Sequence, residues 1–374
     1  MNAPVGPTVL EFFAGAGLAR LGLDGWRTVF ANDIDPTKAA AYRANFAGDQ
    51  LRLADVWSLG IEDLPAGRAD LAWASSPCQD LSLAGARRGL SARRSGAFWG
   101  FWRLIEALDL EGRAPRLIVI ENVTGLLTSN GGEDFRTLGD LLAGAGWRFG
   151  ALEMDAAHWL PQSRPRLFIV ATRELHLEMG RPGGPFHSRG VIEAHARLSD
   201  QARGAWVWWD LPNPGRRNAD LAAFLDADAP WLDAGRTDAL IAQMAPLHRQ
   251  RLEAVRASGE RQIGAAFRRV RMEAGIKVQR IEARFDGLAG CLRTPAGGSS
   301  RQYVLEVAEG QVRARFLTPR EAMRLMGAGE DYQLPNSITA GLKLAGDGVA
   351  VPVVRALSDG LLRPLLAGRS VRAA

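Results

Sequence analysis

The sequence predicts an α/β protein built on an open, mostly parallel sheet with helices on both faces, followed by a second, smaller domain. Three observations predict it. Short apolar runs alternate with helical periodicity from residue 8 to about residue 172. A glycine-bearing turn follows the first of these runs, and polar or acidic residues close several others. The alternation then fades near residue 173 and gives way to a basic, tryptophan-dotted stretch.

The elements follow in order. Thr-Val-Leu-Glu-Phe-Phe at 8–13 reads as a buried strand. The turn Ala14-Gly15-Ala16-Gly17 follows it, and a helix begins near Leu18. A second strand, 28–31, ends at Asn32-Asp33, and 36–46 reads as a helix. Shorter strands are expected at 51–54, 69–74 and 116–120, with a helix over 96–108. A helix over 134–143 and strands at 147–154 and 166–172 complete the pattern. The Gly/Pro-rich stretch 180–190 reads as a linker. Thr318, Pro319 and Glu321 have the spacing of a capped helix start. The apolar stretch 341–366 is expected to rejoin the first domain. The boundaries are therefore 1–178, 179–317 and a returning segment, 318–374.

Composition bounds the function. At 374 residues and 47% hydrophobic content the chain can bury a sizeable core. No apolar run approaches the roughly 18 residues that span a bilayer. No cation precedes the first apolar stretch, and Glu11 interrupts it, which argues against a secretory signal and for the cytoplasm. Two distant cysteines, Cys78 and Cys291, make neither a disulfide framework nor a thiolate metal site, and the five histidines lack ligand spacing, so no metal is expected. The net charge is +5, compatible with nucleic acid. Residues 249–284 alone hold ten cations and four anions.

Four signals carry chemistry. Gly15 and Gly17 form a turn at a strand end, where open α/β sheets bind ligands. Asp33 and Asp55 close the next two strands, the former placed to accept ribose hydroxyls and the latter an adenine amino group. Together they suggest an adenosine-containing cofactor without separating a nicotinamide dinucleotide from S-adenosylmethionine. The second signal is Ser75-Ser76-Pro77-Cys78-Gln79, directly after a strand. Cys78 is there either a small packed hydrophobe or a reactive thiol. The loop after it holds Arg87, Arg88, Arg93 and Arg94, a solvated surface or a cover for a polyanion. The third is Glu121, ending the apolar run Ile118-Val119-Ile120 as a proton donor, a helix cap or an ion-pair partner. The fourth is Gln162-Ser163-Arg164-Pro165-Arg166, whose arginines alternation places on one side, facing a carbonyl, a phosphate or solvent.

In this order and spacing the motifs resemble the DNA (cytosine-5) methyltransferase family over nearly the whole chain. Phe13-Ala14-Gly15-Ala16-Gly17 resembles its cofactor-binding opening, with Leu18 where many members have another glycine and Glu11 where aspartate is common. Asn32-Asp33 resembles its ribose-binding acid, followed by Ile34 on the adenine, and Asp55-Val56 its adenine contact. Pro77-Cys78-Gln79 and Glu121-Asn122-Val123 resemble its two catalytic motifs, and Gln162, Arg164 and Arg166 its Gln-x-Arg-x-Arg. Thr318-Pro319-Arg320-Glu321 resembles the end of its recognition region. The stretch 346–351 resembles its last motif, with Asp347-Gly348 replacing a commoner asparagine with a small partner. Cys291-Leu292 falls where Thr-Leu is usual.

The resemblance implies a Rossmann-like, S-adenosylmethionine-dependent methyltransferase domain, a mixed, mostly parallel sheet with helices on both faces, plus a smaller target-recognition domain. It implies Cys78, Glu121, Arg164 and Arg166 as catalytic residues. Phe13, Ala14, Gly15, Gly17, Leu18, Asp33, Ile34, Asp55, Val56, Pro77, Asp347 and Val349 would bind S-adenosyl-L-methionine and its product S-adenosyl-L-homocysteine. Gln79, Ser82, Arg87, Arg88, Arg93, Arg94 and Gln162 would touch double-stranded DNA. Cys78 would add to carbon 6 of a flipped-out cytosine, with Glu121 at N3 and Arg166 at O2. The expected setting is a monomer on DNA, with a cognate restriction endonuclease as partner. An RNA cytosine-5 methyltransferase and a catalytically silent DNA-binding partner are the alternatives; a nicotinamide-dependent dehydrogenase leaves Pro-Cys-Gln without a role.

Overall fold

The computed structural model describes residues 6–76, 96–173, 180–273, 275–294 and 301–368. The chain forms two compact units. The first comprises 1–155, 165–213 and 353–374, and the second 156–164 and 214–352.

The first unit is the expected α/β layer. Its sheet holds β1 (Thr8–Phe12), β2 (Arg27–Asp33), β3 (Leu51–Leu53), β4 (Leu71–Ala74), β5 (Leu117–Asn122), β6 (Arg148–Asp155) and β7 (Pro165–Thr172). Their order is β3-β2-β1-β4-β5-β7-β6. The first five are parallel, and β7 runs antiparallel between β5 and β6. Every residue of β4 and β5 is buried, which explains why these runs are continuously apolar rather than alternating. The helices are α1 (Leu18–Gly22), α2 (Pro36–Asn45), α3 (Ala97–Leu110), α4 (Glu133–Gly144), α5 (Arg189–Ala196) and α6 (Asp200–Ala205). Asp35 caps α2 by accepting from the backbone N–H groups of Thr37 and Lys38. α3 buries Phe98, Phe101, Trp102, Ile105 and Leu108, a helical stripe packed into the core of this unit.

The tryptophan-bearing stretch divides differently from the expected boundary at 178/179. Residues 180–213 belong to the first unit because Trp206, Trp208 and Trp209 need its core. The Trp206 ring lies 5.3 Å from Phe149, 6.2 Å from Phe135 and 5.2 Å from Trp208. Trp209 donates Nε1–H to the carbonyl of Val170 on β7 at 3.1 Å.

The second unit packs α7 (Ala234–Ala242) and α8 (Pro246–Ala257) with an antiparallel sheet of β8 (Gln262–Glu273), β9 (Ile276–Arg284), β10 (Tyr303–Ala308) and β11 (Gln311–Phe316), ordered β11-β10-β8-β9. Its core gathers Leu240, Met244, Leu252, Ala266, Ile281, Tyr303, Leu305 and Ala314. After it come α9 (Pro319–Arg324) and α10 (Ile338–Asp347). The returning segment is shorter than 318–374: residues 318–352 stay with the second unit, and the chain re-enters the first at Val353, within α11 (Val351–Leu357), before α12 (Arg363–Leu366).

A buried ion pair holds the start of α9. Arg315 donates to both oxygens of Glu321, at 2.6 and 2.9 Å, and both side chains are almost fully buried. Glu321 also accepts from the backbone N–H of Thr318 and of Asp226, while Thr318 Oγ1 accepts from the Glu321 N–H, so the expected capping box forms. Removing the cation leaves a buried carboxylate without its counter-charge, which costs about 3–5 kcal/mol. Arg315→Ala is therefore expected to lower the urea stability of the second unit by that amount; an unchanged midpoint would show the pair to be expendable.

Candidate active site

Strands β1 and β4 are neighbours, yet the chain leaves β1 toward β2 and β3 and leaves β4 toward β5. The strand order reverses here, so the connecting loops part and open a crevice beyond the carboxyl ends. The glycine turn, Asp33, Asp55, Ser76 and Glu121 all stand at this edge of the sheet.

Hydrogen bonds lace the edge together. The backbone N–H of Ala14 donates to the Asn32 carbonyl at 2.8 Å, and that of Ser75 to the Phe12 carbonyl at 3.3 Å. Asn32 Nδ2 donates to the carbonyls of Arg52 and Ala54, tying β2 to the end of β3. Asp33 Oδ2 accepts from the N–H of Gly15 at 2.8 Å, and Oδ1 from that of Asp35. The acid thus fixes the turn, and the remaining lone pairs of its oxygens can still accept hydroxyls.

The turn uses both glycines, for different reasons. Gly15 has φ +57°, and a Cβ there would point into open space. Gly17 has φ +80°, and a Cβ would strike the Phe46 ring at 2.2 Å. Phe13 itself sits at φ +56°, a left-handed conformation costly for an aromatic residue. Ile34 is 66% exposed at the end of β2, an apolar side chain facing solvent where an adenine would cover it. Trp57, also exposed, stands beyond β3 and had no part in the sequence reading. The open space at Gly15, the engaged but unsaturated Asp33 carboxylate and the bare Ile34 fit a nucleoside. Asp55 caps the turn of helix after β3 through the Trp57 N–H and remains exposed. Leu18 and Val56 bury their side chains, so only their backbone could meet a ligand. Asp347 and Val349 belong to the second unit, where Asp347 accepts from the Thr294 hydroxyl.

On the other side of β4, Glu121 and Asn122 end β5. Asn122 Nδ2 donates to the carbonyl of Ser76 at 3.1 Å, and Oδ1 accepts from the Val123 N–H. Ser76 is the last described residue before Pro77. Arg166, on β7, places Nε 3.3 Å from Glu121 Oε1, with both side chains mostly buried. A carboxyl–guanidinium pair at a crevice edge can hold a polar ring on both donor and acceptor positions. Pro77, Cys78, Gln79, Ser82, Arg87, Arg88, Arg93 and Arg94 lie outside the described residues.

Two expectations are corrected. Arg164 does not share a side with Arg166: the chain divides between them, Arg164 in the second unit and Arg166 in the first. Arg164 is buried and donates to the carbonyls of Leu292, Gly346 and Gly348 and to Cys291 Sγ, so its guanidinium is spent on joining chain segments. Gln162 is equally buried. It donates to the Leu325 carbonyl and accepts from the Leu292 N–H, so its amide is engaged with main chain of the second unit. The arginines of 249–284 are also less free than their number suggests, since Arg256, Arg271, Arg280 and Arg284 each pair with a nearby carboxylate. A cavity of about 410 Å³ opens at the opposite end of β1, lined by Thr8, Arg27, Gln50 and Arg68, and contains none of the expected residues. The glycine turn, Asp33, Asp55 and Glu121 stand instead at the carboxyl ends, where the strand order reverses.

A hidden carboxyl underlies the glycine turn. Glu11 is buried on β1, and its Oε2 accepts from the Tyr42 hydroxyl at 3.1 Å, while Arg20 donates to that hydroxyl. Glu11 Oε1 has no hydrogen-bond partner among the described residues. Burial pushes the Glu11 carboxyl up to about 7, against the opposing pull of the Tyr42 hydrogen bond and the Arg20 charge.

A model of the C-5 cytosine-specific DNA methylase family matches residues 8–363. Among curated proteins, the Type II methyltransferase M.Bsp6I of Bacillus sp. (strain RFL6) is 25% identical over 366 residues, covering 96% of this chain and 99% of the relative. The Type II methyltransferase M.HaeII of Haemophilus aegyptius is 25% identical over 370 residues, covering 95% and 93%. Among solved structures, the Dnmt2 methyltransferase of S. pombe superposes with a TM-score of 0.60 at 19% identity, covering 96% of this chain and 99% of that one. The Entamoeba histolytica methyltransferase EhMeth does so with 0.58 at 14% identity, covering 96% and 99%. These two show the shared fold.

The Glu11 carboxyl sets a pH dependence. Its value rises on folding from an ordinary 4.5 to about 7, so the folded protein holds a proton that the unfolded chain releases. Stability from this group is complete below pH 4.5 and is lost as pH rises through 7. Glu11→Gln keeps the shape without the charge. It is expected to change stability little at the acidic end and to raise it by on the order of 2–3 kcal/mol above neutrality. Denaturant titrations at several pH values check this, and a parallel offset at all of them would contradict it.

Proposed function

Because the chain belongs to the C-5 cytosine-specific DNA methylase family, we propose that it transfers the methyl group of S-adenosylmethionine to carbon 5 of cytosine at specific sites in double-stranded DNA. The observation that carries this reading is the Glu121–Arg166 pair at the crevice edge, on a strand end hydrogen-bonded to the residue before Pro77.

Cys78 opens the reaction. Its thiolate adds to carbon 6 of the ring, and the displaced electrons make carbon 5 nucleophilic. Glu121 holds or protonates N3 while Arg166 holds O2, balancing the charge that develops in the ring. The cofactor, when bound, supplies an electrophilic sulfonium methyl and leaves as S-adenosylhomocysteine. A base acting through water then takes the carbon 5 proton; the bond to sulfur breaks, and Cys78 is regenerated. Phe13, Gly15 and Gly17 would present backbone to the cofactor, Asp33 its ribose acceptors, Asp55 its amino acceptor and Ile34 a wall for the adenine. The target base is turned out of the duplex, which costs a few kcal/mol. The charges of Arg87, Arg88, Arg93 and Arg94 would offset part of that on the phosphates. The Type II names of the relatives support a restriction–modification setting with a cognate endonuclease as partner; the cytoplasm is the setting that goes with it, on the nucleoid if the source is prokaryotic.

Expression in a host without cytosine-5 methylation, followed by bisulfite sequencing, tests the reaction. Methylated cytosines in one sequence context are expected; none in DNA, with activity on RNA alone, would overturn the reading. With purified protein, Cys78→Ala is expected to leave less than about one per cent of turnover while DNA binding persists. Glu121→Gln is expected to lose roughly 10²-fold, and a near-normal rate would remove Glu121 from proton handling.

A further inference from the structure

The β8–β9 hairpin outgrows the core it helps to build. Its base sends Ala266, Ile281 and Ala283 into the second unit's core. The same face continues outward through Val270 and Met272 on β8 and through Gln279 and Lys277 on β9, paired Val270 with Gln279 and Met272 with Lys277. Among the described residues these four are exposed. Val270 is 59% and Met272 63% exposed, and both polar side chains are exposed too. Among the described residues, neither Lys277 nor Gln279 has a side-chain hydrogen-bond or ion-pair partner.

On the opposite face, where Ile276 is exposed, the charged side chains pair with one another. Arg269 and Arg271 reach Glu282, and Arg280 pairs with Glu273. The ribbon is nevertheless cationic, with five cations and one carboxylate between residues 268 and 280.

We propose that this overhanging ribbon enters the major groove of the target duplex and reads bases with Val270, Met272, Lys277 and Gln279. The proposal rests on the reading of the chain as a methyltransferase of duplex DNA. A two-stranded ribbon fits the width of the major groove. The exposed set holds the side-chain types that the groove code requires: a glutamine for the adenine edge, a lysine for guanine acceptors, and apolar groups for a thymine methyl. A second copy of the chain would cover Val270 and Met272 but would bring two cationic ribbons together and leave Lys277 and Gln279 unpaired. A polyanion that also offers base edges answers all four residues.

Selection of bound duplexes from a random pool, run on the full chain and on the Lys277→Ala/Gln279→Ala variant, reads sequence preference without any need for methyl transfer. The wild type is expected to return a consensus. The variant is expected to flatten one or two of its positions, discrimination there falling roughly ten- to a hundredfold. Arg271→Ala, on the ion-paired face, is expected to weaken binding to all sequences alike. An unchanged consensus in the double variant, or no consensus in the wild type, would overturn the proposal. An unchanged consensus accompanied by loss of a wild-type dimer in sedimentation would assign the face to a second copy instead. Bisulfite sequencing judges the reaction separately, so failure of methyl transfer and failure of the ribbon are told apart.

Discussion

Adjacent parallel strands cannot be joined by a tight turn, so each must send its chain over one face of the sheet before returning. Where β1 and β4 lie side by side, these excursions go opposite ways, and a crevice opens between them. Every expected contact of the first unit is a consequence. The turn after β1 rises into the gap and is held there by the Asp33 carboxylate. Asn122 holds the end of β4 from the far side through Ser76. The strand ends are therefore tied to one another by short side chains bonded to main-chain groups, which leave little freedom at the edge of the sheet.

Much of this was legible in the chain because it obeys local rules. Continuous apolar runs at 71–74 and 117–120 mark strands buried on both faces, and polar residues at their ends mark the edge where ligands approach. Fold class and family follow from that order of motifs. What sequence could not yield depends on contacts distant in the chain. Trp206 belongs to the first unit because Phe135 and Phe149 surround it, which no local pattern reveals. The Tyr42 hydroxyl meets Glu11 across 31 positions.

The Gln162–Arg166 stretch shows how a motif misleads. Its extended backbone suggests two arginines aimed alike, but the chain changes units between them. Arg164 spends its donors on main-chain carbonyls of 292, 346 and 348, joining three separate segments within the second unit. A five-donor guanidinium is suited to this, since a lysine could not span acceptors so placed. Arg166, two residues on, keeps a carboxylate partner at the crevice. Spacing does not record that the two arginines find their partners in different units.

The overhang of β8 and β9 separates two demands that most strands must meet together. Residues at its base fill a core and answer to packing density, where a lost methylene is felt. Val270, Met272, Lys277 and Gln279, beyond Arg268 and Ile281, are exposed, so their exchange leaves the folding free energy nearly untouched. An extension of this kind can drift in sequence while the fold and its chemistry stay constant, and a lineage can acquire a new target preference without first acquiring spare stability.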